Sequence, residues 1–422
     1  MNNLNFLVDV LKESPVFKTL EKNVKPGRTV CASGLSTINK SNIIYALCRL
    51  KGVTAFCLAS DEKEAQTLCN DLSCMGLRAY VYPVRDFNFL DFQSRSHEYE
   101  HARLKVLLKL INHECDVAIA CVDAAAQLTV PRNVLEQSVI EFEEGRELSL
   151  EKATKALTLL GYERFDAVEG SGQFSLRGGI LDFFMPDSDY PVRCEFWGDE
   201  ITDLSYFDIE TQRRFKKADK ITLSPSTEIV IEDRAALADK IEHKAKLLRS
   251  KNSAKAKEKL FSEAELIRSG AMIANADKFI NQIYDKPESL FDYLDRNTLV
   301  FASEFTAIQE RGKSMDFISN ETLMQGFEDG TLCRGFDRFA LTFNECTEFL
   351  QSHGTIVLEN FVHGSMPIKL SEIISFSTKQ LSAWGGSYKQ LKEDVDGLFT
   401  PESRGVIFAG TERAAKNLCD TF

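Results

Sequence analysis

Residues 161–215 alternate apolar and polar side chains with a period of two, which is typical of β-strands. Three runs follow this period: 173–184, 191–197 and 201–208. Residues 185–191 contain Pro, Asp and Ser, and residues 198–200 are Gly, Asp and Glu, so both segments favour turns. Strands joined by short turns predict an antiparallel meander, and any fold for this chain has to contain it.

The same alternation predicts which side chains of the meander face its core. In the run 191–197 the apolar side chains share one face, which is the predicted buried one: Val192, Cys194 and Phe196. Arg193 and Trp197 lie on the other face, and the same rule places Arg177 of the preceding run there. Two arginines and a tryptophan on one exposed face have the composition of a protein-binding hot spot.

Three strings in this stretch carry a family resemblance: RGGILDFF from Arg177, PVRCEFWGDEI from Pro191 and FDIETQR from Phe207. They resemble the UvrA-binding domain that the bacterial excision-repair helicase UvrB shares with the transcription-repair coupling factors. The resemblance implies that UvrA is the partner, that Arg177 and Arg193 pair with its carboxylates, and that Trp197 fills an apolar pocket between them. Family members often have a second phenylalanine at the position of Trp197, so the pocket can differ. The alternative is a small sheet domain whose charged residues only contact water.

The rest of the chain predicts a different architecture around this meander. Residues 25–122 alternate helical patterns with short apolar runs at 28–32, 53–59, 78–82 and 116–122, which predicts a parallel sheet with helices on its faces. Later runs at 338–343, 355–359 and 372–376 are predicted to return to that sheet. The predicted fold class is therefore α/β: a degenerate helicase-like parallel sheet flanked by helices, with an inserted small, mainly antiparallel β (α+β) domain.

A ligand of such a sheet binds at the carboxyl ends of its strands, where a phosphate loop reads G-x-x-x-x-G-K-S/T. This chain has Gly34, Lys40 and Ser41 in register, but Asn39 replaces the second glycine. Glycine is needed there because a side chain obstructs the backbone N–H groups that surround the phosphates. The pattern predicts a vestigial phosphate loop. The alternative is a simple strand-to-helix turn with Lys40 in solvent.

ATP hydrolysis also requires a carboxylate after a later strand to hold Mg²⁺ and position water. UvrB-like chains have D-E-S-H there. An alignment without gaps places Ala302 and Ser303 at the two carboxylate positions, and Glu304 one position further. A shift of one residue turns a strand side chain to the opposite face, so Glu304 is predicted to point away. With both motifs altered, we expect no catalytic residue and no ATP hydrolysis in this chain.

UvrB also has a long tyrosine-rich hairpin that enters damaged DNA, and the residues between Tyr82 and His101 leave no room for it. The resemblance therefore favours the UvrB-like module of a coupling factor over UvrB itself. It implies that ATP, Mg²⁺, DNA and RNA polymerase are bound by other domains of a longer protein, so that this chain needs no cofactor. An active UvrB-type helicase or ATPase is the alternative.

The string His97-Glu98-Tyr99-Glu100-His101 matches the zinc-protease pattern H-E-x-x-H. Two histidines at positions i and i+4 share a helix face, so a zinc hydrolase is a second alternative. The segment instead follows a polar loop and has extra charge, which favours an exposed helix start. We therefore predict no metal site.

Composition limits the function further. A net charge of −12 does not favour tight DNA binding by the whole chain, and a protein partner is the better expectation. The 11 cysteines include no C-x-x-C pair, which predicts free thiols in a reducing cytoplasm. No apolar run approaches the roughly 20 residues of a membrane span. Residues 240–259 are rich in lysine; DNA contact is one interpretation, and a solvated helix face is favoured.

These observations divide the 422 residues into four predicted segments. Residues 1–130 form the first part of the UvrB-like α/β domain, 131–225 the inserted UvrA-binding-like domain, and 226–385 the second part of the α/β domain with a helical segment. Residues 386–422, with an apolar run at 405–410, are predicted to begin a further, truncated domain.

Overall fold

A computed structural model of the chain describes residues 5–85, 97–249, 253–270, 276–361, 366–378, 387–398, 400, 407, 409 and 411–421. These residues form fifteen strands: β1 (Val30–Ser33), β2 (Ala55–Ala59), β3 (Ala79–Val81), β4 (Val117–Cys121), β5 (Ile140–Glu143), β6 (Glu163–Arg164), β7 (Gln173–Arg177), β8 (Ile180–Phe183), β9 (Val192–Trp197), β10 (Glu200–Phe207), β11 (Arg214–Lys217), β12 (Lys220–Leu223), β13 (Leu299–Ser303), β14 (Thr355–Leu358) and β15 (Glu372–Ser375). Most of the apolar run at 405–410 lies outside the described residues.

The same residues form fifteen α-helices: α1 (Asn5–Glu13), α2 (Pro15–Asn23), α3 (Thr37–Lys51), α4 (Glu62–Cys74), α5 (Glu98–Ile111), α6 (Val122–Ala126), α7 (Arg132–Gln137), α8 (Leu150–Leu159), α9 (Arg234–Leu247), α10 (Ser253–Ser269), α11 (Ile280–Ile283), α12 (Phe305–Asp329), α13 (Phe343–His353), α14 (Tyr388–Leu398) and α15 (Glu412–Thr421). Short 3-10 helices span Ala276–Phe279 and Leu290–Tyr293. None of the helices in the described ranges is long and apolar enough to cross a membrane.

Seven strands form one parallel sheet in the order β15-β1-β14-β13-β2-β4-β3. Strand β1 pairs with β14 on one side and β15 on the other, although both follow it by more than 300 residues of sequence. All seven strands end at the same edge of the sheet because they run in one direction. The residues that follow β1, β2, β13 and β14 therefore meet at that edge.

Helices cover both faces of this sheet, as the strand burial requires. Strands β1, β2, β4 and β14 are buried at every position. Alternate residues face two separate apolar cores: Phe56 and Leu58 pack with α5, α6, α12 and α13, whereas Cys57 and Ala59 pack with α1 to α4. Strands buried on both faces form parallel sheets, so the predicted α/β class is confirmed.

A six-stranded sheet, in the order β11-β10-β9-β8-β7-β6, lies between β5 and β12 in sequence. All its neighbouring pairs are antiparallel except β6 with β7. Its core contains the inner side chains of the strands, helix α8, and the β5-β12 ribbon. An antiparallel domain inserted into an α/β fold was predicted, and the structure confirms it.

The prediction of one strand over residues 173–184 is wrong. The run forms a hairpin, with β7 and β8 joined at Gly178 and Gly179. Gly178 adopts a left-handed conformation with φ of +62°. A Cβ atom on Gly179 would lie 2.8 Å from the carbonyl oxygen of Phe196 in the adjacent strand. The glycine pair is a turn signal, and it shifts the phase of the alternation: Phe174 and Leu176 face the core in β7, whereas Leu181 and Phe183 face it in β8.

Candidate docking face and the phosphate loop

The inserted sheet has an outer face, which we define as the side that carries Arg177, Arg193 and Trp197 and is turned away from the core. Val192 and Cys194 are fully buried beneath the sheet, whereas 83% of Trp197 is exposed. Strand β9 therefore alternates as predicted. Trp197 lies at the end of β9, opposite Glu200 at the start of β10, so the tight turn between these strands exposes the indole.

A buried carboxylate lies beneath the two arginines of the outer face. Asp182 of β8 is directly opposite Arg193 of β9 and Ser175 of β7. Its oxygens accept hydrogen bonds from Arg193 Nε at 2.7 Å and Arg193 Nη2 at 2.8 Å, and from Arg177 Nη2 at 2.7 Å. The three charged groups form one cluster, in which Asp182 contacts both guanidinium groups.

The two arginines of this cluster differ in exposure. The side chain of Arg193 is 13% exposed, stacks at 4.4 Å on the ring of Phe207, and donates further bonds to the carbonyl and amide oxygens of Gln212. The side chain of Arg177 is 50% exposed, and among the described residues only its Nη2 atom has a hydrogen-bond partner. Arg177 can therefore meet an external carboxylate, whereas Arg193 is largely occupied within the chain.

Sequence reasoning placed all three residues on one face but missed Asp182. The alternation of β8 could have found it, because Asp182 is the charged residue between Leu181 and Phe183, which face the core. The outer face also holds Arg214 between Glu195 and Asp203, so its charges are mixed.

The predicted phosphate loop lies at the carboxyl edge of the seven-stranded sheet, between β1 and α3. Its first N–H groups are already bonded, Gly34 to the Asn360 carbonyl at 3.1 Å and Leu35 to the Glu359 carbonyl at 3.0 Å. Gly34 has φ of +78°, and a Cβ atom there would overlap the Phe376 carbonyl oxygen. Two backbone N–H groups at the start of the loop are thus bonded to the chain's own carbonyls.

Lys40 is buried, with 3% of the residue exposed, so the alternative that placed it in solvent is wrong. Its Nζ atom lies 2.5 Å from Glu304 Oε1, 3.0 Å from Ser303 Oγ and 3.5 Å from Glu64 Oε1. The neighbouring side chains also bond locally: Asn39 Nδ2 donates to Ser36 Oγ at 2.8 Å, and Ser41 Oγ donates to an Asp71 carboxylate oxygen at 3.0 Å.

The acidic motif differs from the prediction at one residue. Ala302 lies in the core and Ser303 hydrogen-bonds to Lys40, but Glu304 does not point away. Strand β13 ends at Ser303, and Glu304 adopts a left-handed conformation, φ 55° and ψ 66°, that turns its carboxylate to Lys40. The period-two rule fails here because it applies only within a strand.

A second carboxylate, Glu359, follows β14 beside Glu304. It accepts a bond from the Phe305 N–H at 2.7 Å. Burial, and then the negative charge of Glu304, raise the pKa of Glu359 to about 7. The edge of the sheet therefore holds one ammonium group among three carboxylates, those of Glu64, Glu304 and Glu359.

The histidines of the H-E-x-x-H string do not converge on a common point. Their rings stack nearly parallel, with centroids 5.9 Å apart, and His97 Nδ1 lies 2.9 Å from Glu100 Oε2. His101 is packed against Gly172 of the inserted domain, and its burial lowers its pKa. In the part of the chain that the structure describes, no three His, Cys, Asp or Glu residues could hold a metal ion.

These features define a class: an α/β chain with a seven-stranded parallel sheet flanked by helices and an inserted, mainly antiparallel domain. Residues 140–229 match the family model described as the UvrB interaction domain, so the inserted sheet lies within that match. The motifs of the outer face that suggested the resemblance fall in these residues.

Comparison with curated proteins extends the likeness to most of the chain. A transcription-repair-coupling factor of Bacillus subtilis (strain 168) is 26% identical over 416 residues, which cover 96% of this chain and 35% of that protein. One from Staphylococcus epidermidis is 24% identical over 359 residues, or 80% of this chain and 29% of that protein. One from Staphylococcus aureus (strain MRSA252) is 21% identical over 426 residues, or 98% and 36%.

Residues 140–229 thus match the UvrB interaction domain, and the chain is similar, over most of its length, to the N-terminal part of the transcription-repair-coupling factors. The resemblance seen in the motifs is confirmed. The chain spans about a third of the length of these relatives.

Proposed function

We propose that this chain recruits UvrA in transcription-coupled nucleotide excision repair and does so without hydrolysing ATP. The observation that carries the proposal is the exposed indole of Trp197, 83% accessible, on the same face as the half-exposed Arg177 in a domain that matches the UvrB interaction domain. A large aromatic side chain exposed to water carries no benefit for folding, whereas Trp and Arg are the residues that dominate protein interfaces.

In this proposal Trp197 enters an apolar pocket of UvrA, and Arg177 pairs with a carboxylate at its rim. Arg193 contributes to the same face, although its guanidinium is bonded mainly to Asp182 and Gln212. As part of a longer protein like its relatives, the chain would bind UvrA and so bring repair proteins to a site where transcription has stopped. In this proposal ATP, Mg²⁺, DNA and RNA polymerase bind to other domains of a longer cytoplasmic protein. That longer protein is an ATP-dependent DNA translocase that displaces the polymerase.

The proposed lack of ATP hydrolysis is supported by the charges at the sheet edge. For its ammonium group to bind the phosphates of a nucleoside triphosphate, Lys40 would have to separate from Glu304, which lies 2.5 Å away. The phosphates would then approach the carboxylates of Glu64 and Glu304, whose negative charges repel them. We expect no cofactor for this chain.

A UvrB-type helicase or ATPase is the competing function, favoured by the glycine, lysine and serine that the loop retains. Titration with ATP and Mg²⁺, followed by phosphate release, separates the two. We expect neither binding nor turnover in the unaltered chain. ATP turnover that disappears in Lys40→Ala would establish the competing function instead.

The contacts of the lysine-rich residues 240–259 do not favour DNA binding. Lys240 and Lys244 donate to the carbonyls of Gln282 and Gly335, and Lys246 lies 3.8 Å from Glu242. These contacts with the chain's own residues favour the solvated helix face. We propose weak or no DNA binding by this chain.

Binding of the purified chain to UvrA from the same organism, measured by calorimetry, tests the recruitment proposal. Trp197→Ala should weaken binding by about 2 kcal/mol or more, as expected for a hot-spot tryptophan. Arg177→Ala, Arg193→Ala and Trp197→Ala together should abolish it. Leu247→Ala is a matched control, because Leu247 is also exposed, at 60%, but lies on α9. Undiminished binding by the triple variant would show that the outer face is not the site.

A further inference from the structure

Asp182 is an unusual residue for an exposed sheet face, because its side chain is only 1% exposed. Aspartate is almost never buried to this degree unless it is paired. Here three N–H groups from two arginines supply the pairing, all at 2.7–2.8 Å. Asp182 has no direct access to a partner, yet it contacts both arginines of the outer face.

We propose that Asp182 is a positioning residue of the docking face. It holds the guanidinium of Arg177 in one orientation, ready to meet a carboxylate beside an apolar pocket on the partner. Arg193 is the second positioning residue: it fixes Asp182 from the other side and does not itself contact the partner. This inference rests on the proposed recruitment function and assigns distinct roles to residues that the family resemblance treats alike.

The exposure and bonding of the two arginines support the division of roles. Arg193 uses Nε, Nη1 and Nη2 for bonds within the chain and stacks on Phe207, so a bidentate contact with a partner would break several of them. Arg177 keeps its Nε and Nη1 atoms without a partner among the described residues, and half of its side chain is accessible. A planar guanidinium can donate to one carboxylate through Nη2 and to a second carboxylate through its remaining N–H groups.

Positioning matters because a free arginine side chain has many conformations. An exposed arginine loses this freedom when it binds, and that loss reduces affinity. The bond to Asp182 restricts Arg177 before the partner arrives, so less freedom is lost on binding. The carboxylate also neutralises one of two adjacent positive charges, which would otherwise drive the two guanidinium groups apart.

Asp182→Asn tests the proposal in the full 422-residue chain. We expect binding to UvrA to weaken by about tenfold, the range of a lost charge-assisted contact. Asp203→Asn is the matched control and removes the same charge from the same face. Asp203 pairs with Arg214 and does not contact Arg177 or Arg193. That variant should stay within about threefold. Equal effects of the two substitutions, or tighter binding by Asp182→Asn, would overturn the positioning role.

A double-mutant cycle identifies the residue through which Asp182 acts. In an Arg177→Ala background, Asp182→Asn should weaken binding by less than about threefold further, because the side chain it positions is already absent. Additive losses in the cycle would contradict the proposal. Thermal unfolding of each variant shows whether the sheet remains folded.

Conservative variants provide a second test that does not depend on Asp182→Asn folding. Arg193→Lys keeps a cation beside Asp182 and should stay within about threefold of the unaltered affinity, whereas Arg177→Lys loses the planar donors and should cost about tenfold. The reverse order would show that Arg193 is the contact residue. If Trp197→Ala weakens binding but Asp182→Asn does not, only the positioning role fails; if the unaltered chain does not bind UvrA, the recruitment function fails as well.

Discussion

Lys40 is a buried cation, and nearby carboxylates offset the cost of burying its charge. The stability of the folded chain therefore depends on these ion pairs. Removing one member of a buried ion group leaves the others uncompensated. Lys40→Met should therefore lower the free energy of unfolding by about 3 kcal/mol, measured by urea denaturation. Lys51→Met, at the exposed end of the same helix, should change it by less than about 0.5 kcal/mol. A Lys40→Met chain as stable as the unaltered one would show that Lys40 is not bound to these carboxylates in solution.

Glu359 predicts a dependence of stability on pH. Its pKa in the folded chain, about 7, lies above the ordinary value of 4.5, because burial and Glu304 disfavour the charged form. The stability that protonated Glu359 contributes to the folded chain is fully present below pH 4.5 and is lost as the pH rises through 7. Glu359→Gln keeps an acceptor for the Phe305 N–H and cannot ionise. Denaturation at pH 5 and pH 8 should show the variant gaining stability over the unaltered chain at the higher pH. A constant difference at both pH values would contradict the raised pKa.

At the scale of elements, the loop between β1 and α3 is fixed by the close approach of the segment that follows β15. Gly34 is left-handed, and a Cβ atom at this position would overlap the Phe376 carbonyl oxygen, so Gly34→Ala adds backbone strain and an overlap with main-chain atoms. We expect a loss of about 3 kcal/mol or more in the free energy of unfolding. Gly52→Ala is the control: Gly52 is also left-handed, φ +63°, but a Cβ there meets open space, so about 1 kcal/mol is expected. Equal losses measured for the two variants would mean that the loop can move away from Phe376.

The elements show which parts of the fold the sequence could predict. Apolar runs predicted β1, β2, β4 and β14, because strands buried on both faces need continuous apolar residues. Apolar runs also predicted β3 and β15, which are only partly buried. The run 338–343 is not a strand: only Ala340 makes an isolated bridge, and α13 begins at Phe343. Short apolar runs do not distinguish a strand from the start of a helix.

The site was predicted less completely, since its geometry depends on contacts between distant residues. The alternation of apolar and polar residues in β9 was sufficient to predict that Trp197 is exposed. Glu304 reaches Lys40 only because the chain turns left-handed after β13. Ser303 and Glu64 lie next to Lys40 because of the order of the strands in the sheet. Local patterns contain neither fact.

At the scale of the whole molecule, a buried ionic network lies where the chain leaves the inserted domain. Glu228, at the end of the matched residues 140–229, is fully buried with Arg103 of α5. Arg103 Nε donates to Glu228 Oε1 at 2.6 Å, and Arg103 Nη1 donates to Gln127 Oε1 at 2.8 Å. Arg85 lies 3.3 Å from Glu228 and 3.1 Å from Asp277 of the helical segment. The network therefore joins the parallel sheet domain, the inserted domain and the helical segment.

Glu228→Gln should weaken this junction, because it leaves two buried arginines with one carboxylate fewer. Breaking a buried ion pair from one side costs about 3–5 kcal/mol, and the amide recovers only part of the hydrogen bonding. We expect a lower free energy of unfolding and faster limited proteolysis between the inserted domain and α9. Glu232→Gln, four residues along the same connection and exposed, is the control and should change neither. If the two variants unfold and are cleaved alike, the orientation of the docking face depends on apolar packing alone. If only Glu228→Gln is affected, the ionic network fixes how the inserted domain presents Trp197.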